Sequence, residues 1–417
     1  MMTTPSEALD RPLLIRVGKL IDGVSTAPLP DASLLMTSGR IEYVGPSTGV
    51  SAPSDATVLD FPKAMALPGL IDAHVHLADE MTRPEYDWNY SLMRLTSSPA
   101  FEALKAARAA RRTLEAGFTT VRNIGGPGGW DYALRDAIEL GIVPGCRVFT
   151  SGPWLWSIRQ GPIWEPPNEG VVDGSDAIRT AVRNRLRHGA ADFIKVFSTG
   201  SVVDEGSAPQ GTHYTVEELR AAAEEAHAVG KTVACHAHGT AGIKNALLAG
   251  IDTIEHGTYL DEETIGLMLS GDRYLVPTLS VHYGFMKHKD MLASNVTSKS
   301  EGMRQSRLEN VRRAYEAGVK ICCGTDTARL LEHGANALEL ELLVQELGMS
   351  PMEALQSATR VNAEAMGLAE RLGTLEKGKV ADLLIVKGDP MKDIRVLSDR
   401  QAIVLVVKDG RVVVDRR

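Results

Sequence analysis

The sequence predicts an α/β protein, a (β/α)8 TIM barrel with a small β-sandwich domain formed by both chain termini. Eight short apolar segments alternate with helical segments through the middle of the chain, which is the element count of such a barrel. Both ends are instead rich in β-branched residues and turns, and 417 residues of which 44% are hydrophobic can bury a core of this size. We therefore expect residues 67–377 to form the barrel, and residues 1–66 with 378–417 to form one composite β domain.

The strands predicted at the two ends are short and bounded by turn residues. Near the start they cover 13–17 and 40–44, and near the end 381–386, 403–408 and 411–414. Asp409 and Gly410 separate the last two, and Asp-Gly between β-branched segments is a strong β-hairpin signal. Similar ends around a long middle predict one sheet built from both termini.

The middle of the chain alternates apolar segments with helices that carry recognisable caps. Thr215 with Glu218, and Ser350 with Glu353, form capping boxes at predicted helix starts, and Pro351 suits a first helical position. The eight apolar segments that we assign as barrel strands are 66–75, 118–122, 147–150, 193–197, 232–235, 252–255, 274–279 and 320–324.

Charge and cysteine content exclude several classes of function. A net charge of −8 and a pI near 5.8, without a basic stripe, predict that neither nucleic acid nor an anionic membrane is a partner. Residues 1–16 show no apolar core of a signal peptide, although a chain whose signal had been removed would look the same. The four cysteines form no Cys-x-x-Cys pair, so we expect reduced thiols and a cytoplasmic setting.

Two histidines end the first barrel strand. His74 and His76 alternate with Val75, so in a strand both imidazoles point to the same face. Neutral imidazoles in this arrangement form half of a divalent metal site. The alternative is a polar strand end with two solvated histidines, and the spacing alone does not separate the two interpretations.

Lys195 lies inside the apolar segment 193–197. A buried lysine is costly unless it is paired or chemically altered. Its ammonium group can reach water at the strand end, which is the commoner case. Alternatively burial deprotonates the amine, which then reacts with CO₂ to give a carbamate whose two oxygens can bridge two metal ions.

The later strands end in polar residues in the same way. His236 follows the segment 232–235, with His238 two residues on, and His256 and Asp326 follow two further strands. Barrel enzymes place their catalytic side chains at the carboxyl ends of the strands. A single histidine there is usually structural, but five such residues, counting His74 and His76 and leaving out His238, predict a common site.

These residues and their surroundings resemble the binuclear amidohydrolase superfamily. The resemblance covers nearly the whole chain, and is closest to the imidazolonepropionase-related branch with its Xaa-Pro dipeptidase-like and ochratoxin-type amidohydrolases. It rests on the motifs at 68–74, 235–239, 254–257, 324–326 and 373–383.

The resemblance implies two divalent metal ions, with zinc expected and manganese or cobalt as substitutes. His74, His76 and Asp326 would hold the more buried ion, His236 and His256 the more exposed one, and carboxylated Lys195 would bridge them. We choose His236 over His238 as the ligand from the fifth strand because it directly follows the apolar segment and fits the family motif. A bridging hydroxide would attack the amide carbonyl while Asp326 takes and returns the proton. The resemblance also implies a homo-oligomer.

One loop departs from the family pattern. Relatives commonly show Gly-Gly-His after the third strand, whereas this chain has a Trp- and Pro-rich loop over 153–167. Trp154 and Trp156 suit an apolar pocket wall, and Arg159 suits a substrate carboxylate, although the same tryptophans would also suit an oligomer interface or the loop's own core. We also expect His238 to face the substrate or to support a metal ligand, and His282 and Tyr283 to bind the substrate or to orient its carbonyl.

The predicted function is hydrolysis of an amide in a small substrate, such as a dipeptide or an N-acyl amino acid whose C-terminal amino acid is released. The alternative within enzymes is a cyclic-amide hydrolase or deaminase of the imidazolonepropionase type, against which Lys195 counts because mononuclear relatives lack the bridging lysine. From another class, a non-catalytic scaffold barrel would be expected to have lost ligands, and this chain keeps all of them.

Overall fold

The computed structural model describes residues 11–80, 96–159, 170–203, 207–292, 294–328 and 330–417. Its strands are β1 Leu13–Leu20, β2 Leu29–Thr37, β3 Arg40–Pro46, β4 Thr57–Pro68, β5 Leu70–Val75, β6 Phe118–Asn123, β7 Arg147–Thr150, β8 Ile194–Phe197, β9 Val233–Ala237, β10 Thr253–His256, β11 Tyr274–Val276, β12 Lys320–Ile321, β13 Leu383–Lys387, β14 Ile403–Lys408 and β15 Arg411–Asp415.

The α-helices of the described residues are α1 Pro99–Glu115, α2 Trp130–Glu139, α3 Ser175–Leu186, α4 Val216–His227, α5 Thr240–Leu248, α6 Glu262–Ser270, α7 Leu279–Lys287, α8 Ser294–Glu316, α9 Leu338–Gln345, α10 Pro351–Gln356 and α11 Asn362–Ala365. The capping boxes predicted at Thr215 and Ser350 are confirmed at the starts of α4 and α10. None of the described helices is both long enough and apolar enough to span a membrane.

The chain divides into two compact units. The described residues of the first fall within Met1–Asp72, Arg111–Thr120 and Gly334–Arg417, and those of the second within Ala73–Ala110 and Val121–His333. The domain limits predicted at residues 66 and 378 stay a prediction.

Both ends of the chain contribute to one seven-stranded sheet in the order β15-β14-β13-β4-β1-β2-β3. Antiparallel pairing of β4 with β13 joins the N-terminal strands to the C-terminal ones. The predicted hairpin between β14 and β15 is confirmed, and Asp409 and Gly410 take φ values of 51° and 73°, the left-handed conformations that a type I′ turn needs. The seven described strands share a single sheet, so the sandwich stays a prediction.

The remaining strands form a five-stranded parallel sheet, β12-β11-β10-β9-β8, and a three-stranded sheet, β5-β6-β7. All eight predicted strands are therefore present, in a mixed α/β fold. Backbone hydrogen bonds continue past the sheet edges, from Asp192 N to Thr150 O at 2.8 Å and from Ala73 N to Cys323 O at 2.9 Å. The closed barrel stays a prediction.

Two of the predicted strands differ from the observed ones for reasons of backbone chemistry. The segment 66–75 is split at Gly69, where any Cβ would lie 2.2 Å from Thr119 Oγ1. The segment 274–279 ends at Val276 because Pro277 has no N–H to donate and Thr278 turns to a φ of 48°. Helix α7 begins directly after that turn.

Candidate metal centre

A cavity of about 130 Å³ in the second unit collects the predicted ligands. The six proposed ligands line it: His74, His76, Lys195, His236, His256 and Asp326. Lys195 lies within β8, and the other five lie near or beyond the carboxyl ends of β5, β9, β10 and β12. This is the strand end at which open and closed α/β sheets bind their ligands.

The first group of possible metal ligands consists of His74, His76 and Asp326. Asp326 Oδ1 lies 3.5 Å from His74 Nε2 and 3.4 Å from His76 Nε2. The backbone holds these segments together, because Asp326 N donates to the carbonyl oxygen of His74 over 2.7 Å. Two imidazoles and a carboxylate converging on one point are a suitable donor set for a divalent cation.

Glu255 determines which nitrogen of His74 faces this group. His74 Nδ1 lies 2.7 Å from Glu255 Oε2, and Arg122 Nη2 lies 2.8 Å from Oε1 of the same carboxylate. Burial alone would raise the pKa of Glu255, but Arg122 and His74 outweigh it and lower the pKa to about 2. Because an ionised carboxylate only accepts, His74 Nδ1 carries the proton and Nε2 presents its lone pair to Asp326.

The second group consists of His236, His238 and His256. His256 Nε2 lies 3.0 Å from His236 Nδ1. His236 Nε2 lies 3.1 Å from the carbonyl oxygen of Gly200, which only accepts, so Nε2 carries the proton and Nδ1 offers the lone pair. His238 Nδ1 contacts Thr258 Oγ1 over 2.8 Å, and its ring stacks on that of His256 with centroids 4.6 Å apart.

Lys195 lies in β8 with its Nζ buried and without a hydrogen-bond partner. Burial lowers the pKa of its amine to about 8, against the opposing effect of Glu255. Its charge acts on both groups of ligands, since it lowers the pKa values of His74 and His236. A buried amine without a partner is costly as it stands, and it fits conversion to a metal-bound carbamate.

The imidazoles of His74, His236, His238 and His256 are neutral, which is the form that binds metal. Burial lowers the pKa of His74 to about 3, and it lowers those of His236, His238 and His256 well below their ordinary value. Burial raises the pKa of Asp326 to about 7, against the charges of Lys195 and Arg307. Burial therefore favours the neutral form of these side chains, and a charged form is stable in the cavity only when an opposite charge lies beside it.

Three residues of this region hold left-handed backbone conformations. The φ angles of His256, Thr278 and Asp326 are 70°, 48° and 54°. Such conformations cost free energy in residues other than glycine, most of all in a β-branched residue such as Thr278. Thr278 Oγ1 lies 2.8 Å from His256 Nδ1, so the strained turn supports a ligand of the second group.

Aromatic side chains form one wall of the cavity. Trp154 and Trp156 are buried and pack with Phe197, and the Trp154 ring meets that of His76 edge-on with centroids 5.9 Å apart. Buried Arg185 fixes this segment, because its guanidinium donates to the carbonyl oxygens of Pro153 and Trp154. The structure thus brings both predicted tryptophans to the site, whereas residues 160–167 of the predicted loop lie outside the described residues.

The other predicted substrate contacts have different places. His238 lines the cavity, but Arg159 is exposed and does not. His282 is buried in α7, and its Nδ1 lies 2.9 Å from Ser300 Oγ. The neighbouring Tyr283 is 38% exposed. Neither residue lines the cavity. The pattern of strand ends does not extend to these two residues because a helix begins at Leu279.

Sequence reasoning missed four charged residues of this region, Glu255, Arg122, Arg307 and Asp79, the last of which lines the cavity. Glu255 and Arg122 are charged residues within segments predicted to be buried strands. Two opposite charges in such segments indicate a buried ion pair between strands. Arg307 lies in α8 among many polar residues, where no local signal distinguishes it.

Comparison with known proteins agrees with this geometry. Residues 65–413 match the amidohydrolase family. The chain is 30% identical to the ochratoxinase of Aspergillus niger, with 95% of this chain and 86% of the relative covered. It superposes on a crystal structure of a Xaa-Pro dipeptidase with bound methionine in the active site, with a TM-score of 0.87, 34% identity and coverage of 96% and 99%.

A more distant relative is the imidazolonepropionase of Symbiobacterium thermophilum, which is 24% identical, with 93% of this chain and 91% of the relative covered. The family generally binds metal ions, and both groups of possible metal ligands are present in the described residues. Coverage is nearly complete, and the matched region contains every ligand described above. The chain belongs to the amidohydrolase family, and it is a hydrolase that acts on amide carbon–nitrogen bonds.

Proposed function

We propose that this protein is a binuclear metal-dependent hydrolase that cleaves the amide of a dipeptide or N-acyl amino acid. The observation that carries the proposal is the buried, unpartnered Nζ of Lys195 beside both groups of ligands. A single ion held by His74, His76 and Asp326 would need no such lysine. A carbamate on Lys195 would supply oxygen ligands for both groups.

The donor chemistry supports this assignment of ligands. His74, His76 and Asp326 would hold one ion, His236 and His256 the other, and carboxylated Lys195 would join them. When bound, two divalent ions, with zinc expected, supply an activated water and polarise the scissile carbonyl. His236 is preferred to His238 because the Gly200 carbonyl leaves its Nδ1 lone pair directed at His256.

The chain's own residues supply the proton transfer. Asp326 is the one carboxylate in the two groups of ligands, and its Oδ1 lies within 3.5 Å of two ligand nitrogens. It is therefore placed to accept a proton from the attacking water and to pass it to the leaving nitrogen. Trp154, Trp156 and Phe197 exclude water on one side and offer an apolar surface to the acyl part of the substrate.

The proposed substrate agrees with the relatives. The similar proteins include a Xaa-Pro dipeptidase, and the methionine in its active site carries a free carboxylate.

The proposal includes the closed (β/α)8 barrel, which the hydrogen bonds beyond both sheet edges support. It also includes a homo-oligomer of this architecture that acts on a small molecule.

The test is metal analysis together with a turnover screen. Protein prepared without chelators should hold about two divalent ions per chain, and should cleave dipeptides or N-acyl amino acids in a screen that also contains lactams and esters. Asp326→Asn should lower kcat/KM by about 10³-fold or more while the protein stays folded. Metal-free protein of full activity would contradict the proposal.

A cyclic-amide hydrolase or deaminase with one ion is the second candidate, and the similarity to imidazolonepropionase favours it. Cleavage of lactams alone, with one ion per chain and an active Lys195→Ala variant, would establish that candidate instead.

A further inference from the structure

Arg307 in α8 contributes a guanidinium to the wall of the metal-site cavity. The residue is only 7% exposed, and its Nη1 lies 3.4 Å from the carbonyl oxygen of Thr278. Of the described residues that line the cavity, Arg307 alone carries a guanidinium. Thr278 also contacts His256, so this contact places the Arg307 guanidinium near the second group of possible ligands.

The charge of Arg307 acts at the centre of the site. Its guanidinium lines the same cavity as His238 and His256 of the second group and Asp326 of the first. The side chain therefore creates a positive potential over the second group of ligands and reaches the carboxylate of the first. The cavity walls are otherwise largely apolar, including Val281, Phe285 and Leu330, and the carboxylates of Asp79 and Asp326 also line the cavity. A buried guanidinium among these residues favours an anionic ligand.

We infer that Arg307 binds the carboxylate of the amino acid that leaves when the amide is cleaved. A planar guanidinium pairs with a carboxylate through two parallel hydrogen bonds, and the pair is strong where water is excluded. The inference rests on the proposed function and adds a substrate preference. The preferred substrates are amides whose leaving amine carries a free carboxylate. It assigns to Arg307 the role that the sequence suggested for Arg159, which is exposed.

Binding can be measured without turnover by using ligands that contain no amide. We would titrate metal-loaded protein calorimetrically with 3-phenylpropanoate and with 3-phenylpropan-1-ol, which share a hydrocarbon skeleton and differ in the carboxylate. Wild-type protein should bind the acid about 10²-fold more tightly than the alcohol, and Arg307→Met should bind the acid about 10²-fold more weakly than wild type. Arg307→Lys keeps the charge without the planar guanidinium, so its affinity for the acid should be about tenfold lower than that of wild type.

The control is Arg312→Met, which removes an exposed arginine from the same helix. It should bind the acid as wild type does, because its charge is screened by water. If Arg307→Met binds the acid as tightly as wild type, or if wild type does not distinguish acid from alcohol, the inference is wrong. If Arg307→Met does not fold, the Arg307→Lys comparison decides in the same way.

A turnover measurement separates this inference from the proposed function. The ratio of kcat/KM for N-acetyl-L-phenylalanine to that for its C-terminal carboxamide should fall about 10²-fold in Arg307→Met. Cleavage of both substrates with the same ratio in both proteins would overturn the role of Arg307 and leave the proposed function standing. Arg307-dependent binding of the acid without cleavage of any amide would refute the proposed function alone.

Discussion

His74 and Glu255 form a buried hydrogen bond between two strands, with 2.7 Å between Nδ1 and Oε2. Arg122 completes the arrangement by contacting the other oxygen of the same carboxylate and the carbonyl oxygen of Ala73. The three charged or polar groups are almost fully buried. Through this contact Glu255 keeps the proton on Nδ1 of His74 and leaves Nε2 for a metal ion.

Glu255→Gln should weaken metal binding about 10- to 100-fold. The amide nitrogen of glutamine can donate to Nδ1, which would move the histidine proton to Nε2 and block the ligand atom. The buried charge of Arg122 also loses its partner, so the free energy of unfolding should fall by about 3–5 kcal/mol. Competition with a chelator and denaturant titration measure the two effects.

The matched control is Glu225→Gln. Glu225 pairs with Arg179 and Arg183 at the surface, where water screens the ion pairs. This change should cost less than about 1 kcal/mol and should leave metal affinity unaltered. A Glu255→Gln variant that behaved like this control would show that the carboxylate does not orient His74.

Lys195→Met and Lys195→Arg should both lose metal from the site. Neither side chain can form a carbamate, although arginine keeps the positive charge, so a role for the cation itself would let Lys195→Arg retain metal. Metal analysis distinguishes the two cases. Carbon-13 NMR of protein incubated with labelled bicarbonate should show a carbamate signal in the wild type and none in the two Lys195 variants. The control is Lys287→Met, which removes an exposed lysine and should keep the signal.

The convergence of these candidate ligands was predictable from sequence because alternation along a strand is a local property. His74 and His76 share a face by their spacing, and His236 and Asp326 follow apolar segments that end at the same edge of a parallel sheet. The contact between His74 and Glu255 joins residues 181 positions apart, and no local pattern determines which strands bring them together.

The helix-borne residues were harder to predict for the same reason. Arg307 lies in a polar helix, so its burial depends on the tertiary packing of α8 and not on the residues beside it. His282 was expected to contact the substrate because it follows an apolar segment. Strand β11 stops at Val276, however, and α7 carries His282 to Ser300.

Arg185→Met should impair substrate binding without removing metal. Arg185 donates to the carbonyl oxygens of Pro153 and Trp154 and so fixes the segment that carries the aromatic wall. Without these hydrogen bonds the Trp154 ring loses its position beside His76, and KM should rise about tenfold with metal content unchanged. Steady-state kinetics and metal analysis test this, with exposed Arg187→Met as the control. A loss of metal in Arg185→Met would contradict a role confined to the wall.

The stability of the protein should depend on pH through Asp131. Burial raises the pKa of this carboxyl from 3.8 to about 6, although Thr150 and the backbone N–H groups of Tyr132 and Gly152 donate to it. Because the folded-state pKa lies above the unfolded one, folding favours the protonated form. Its contribution to stability is therefore complete below about pH 4 and is lost as the pH rises through about 6.

The Asp131→Asn variant isolates this effect because asparagine has nearly the same shape and does not titrate. A shift of this size corresponds to about 3 kcal/mol, so the free energy of unfolding of Asp131→Asn relative to wild type should rise by about that amount between pH 4 and pH 7. Any difference in hydrogen bonding between the two side chains is the same at every pH and does not alter the slope. Denaturant titrations across this range measure it, and parallel curves for the two proteins would mean that Asp131 is ionised in the folded state throughout.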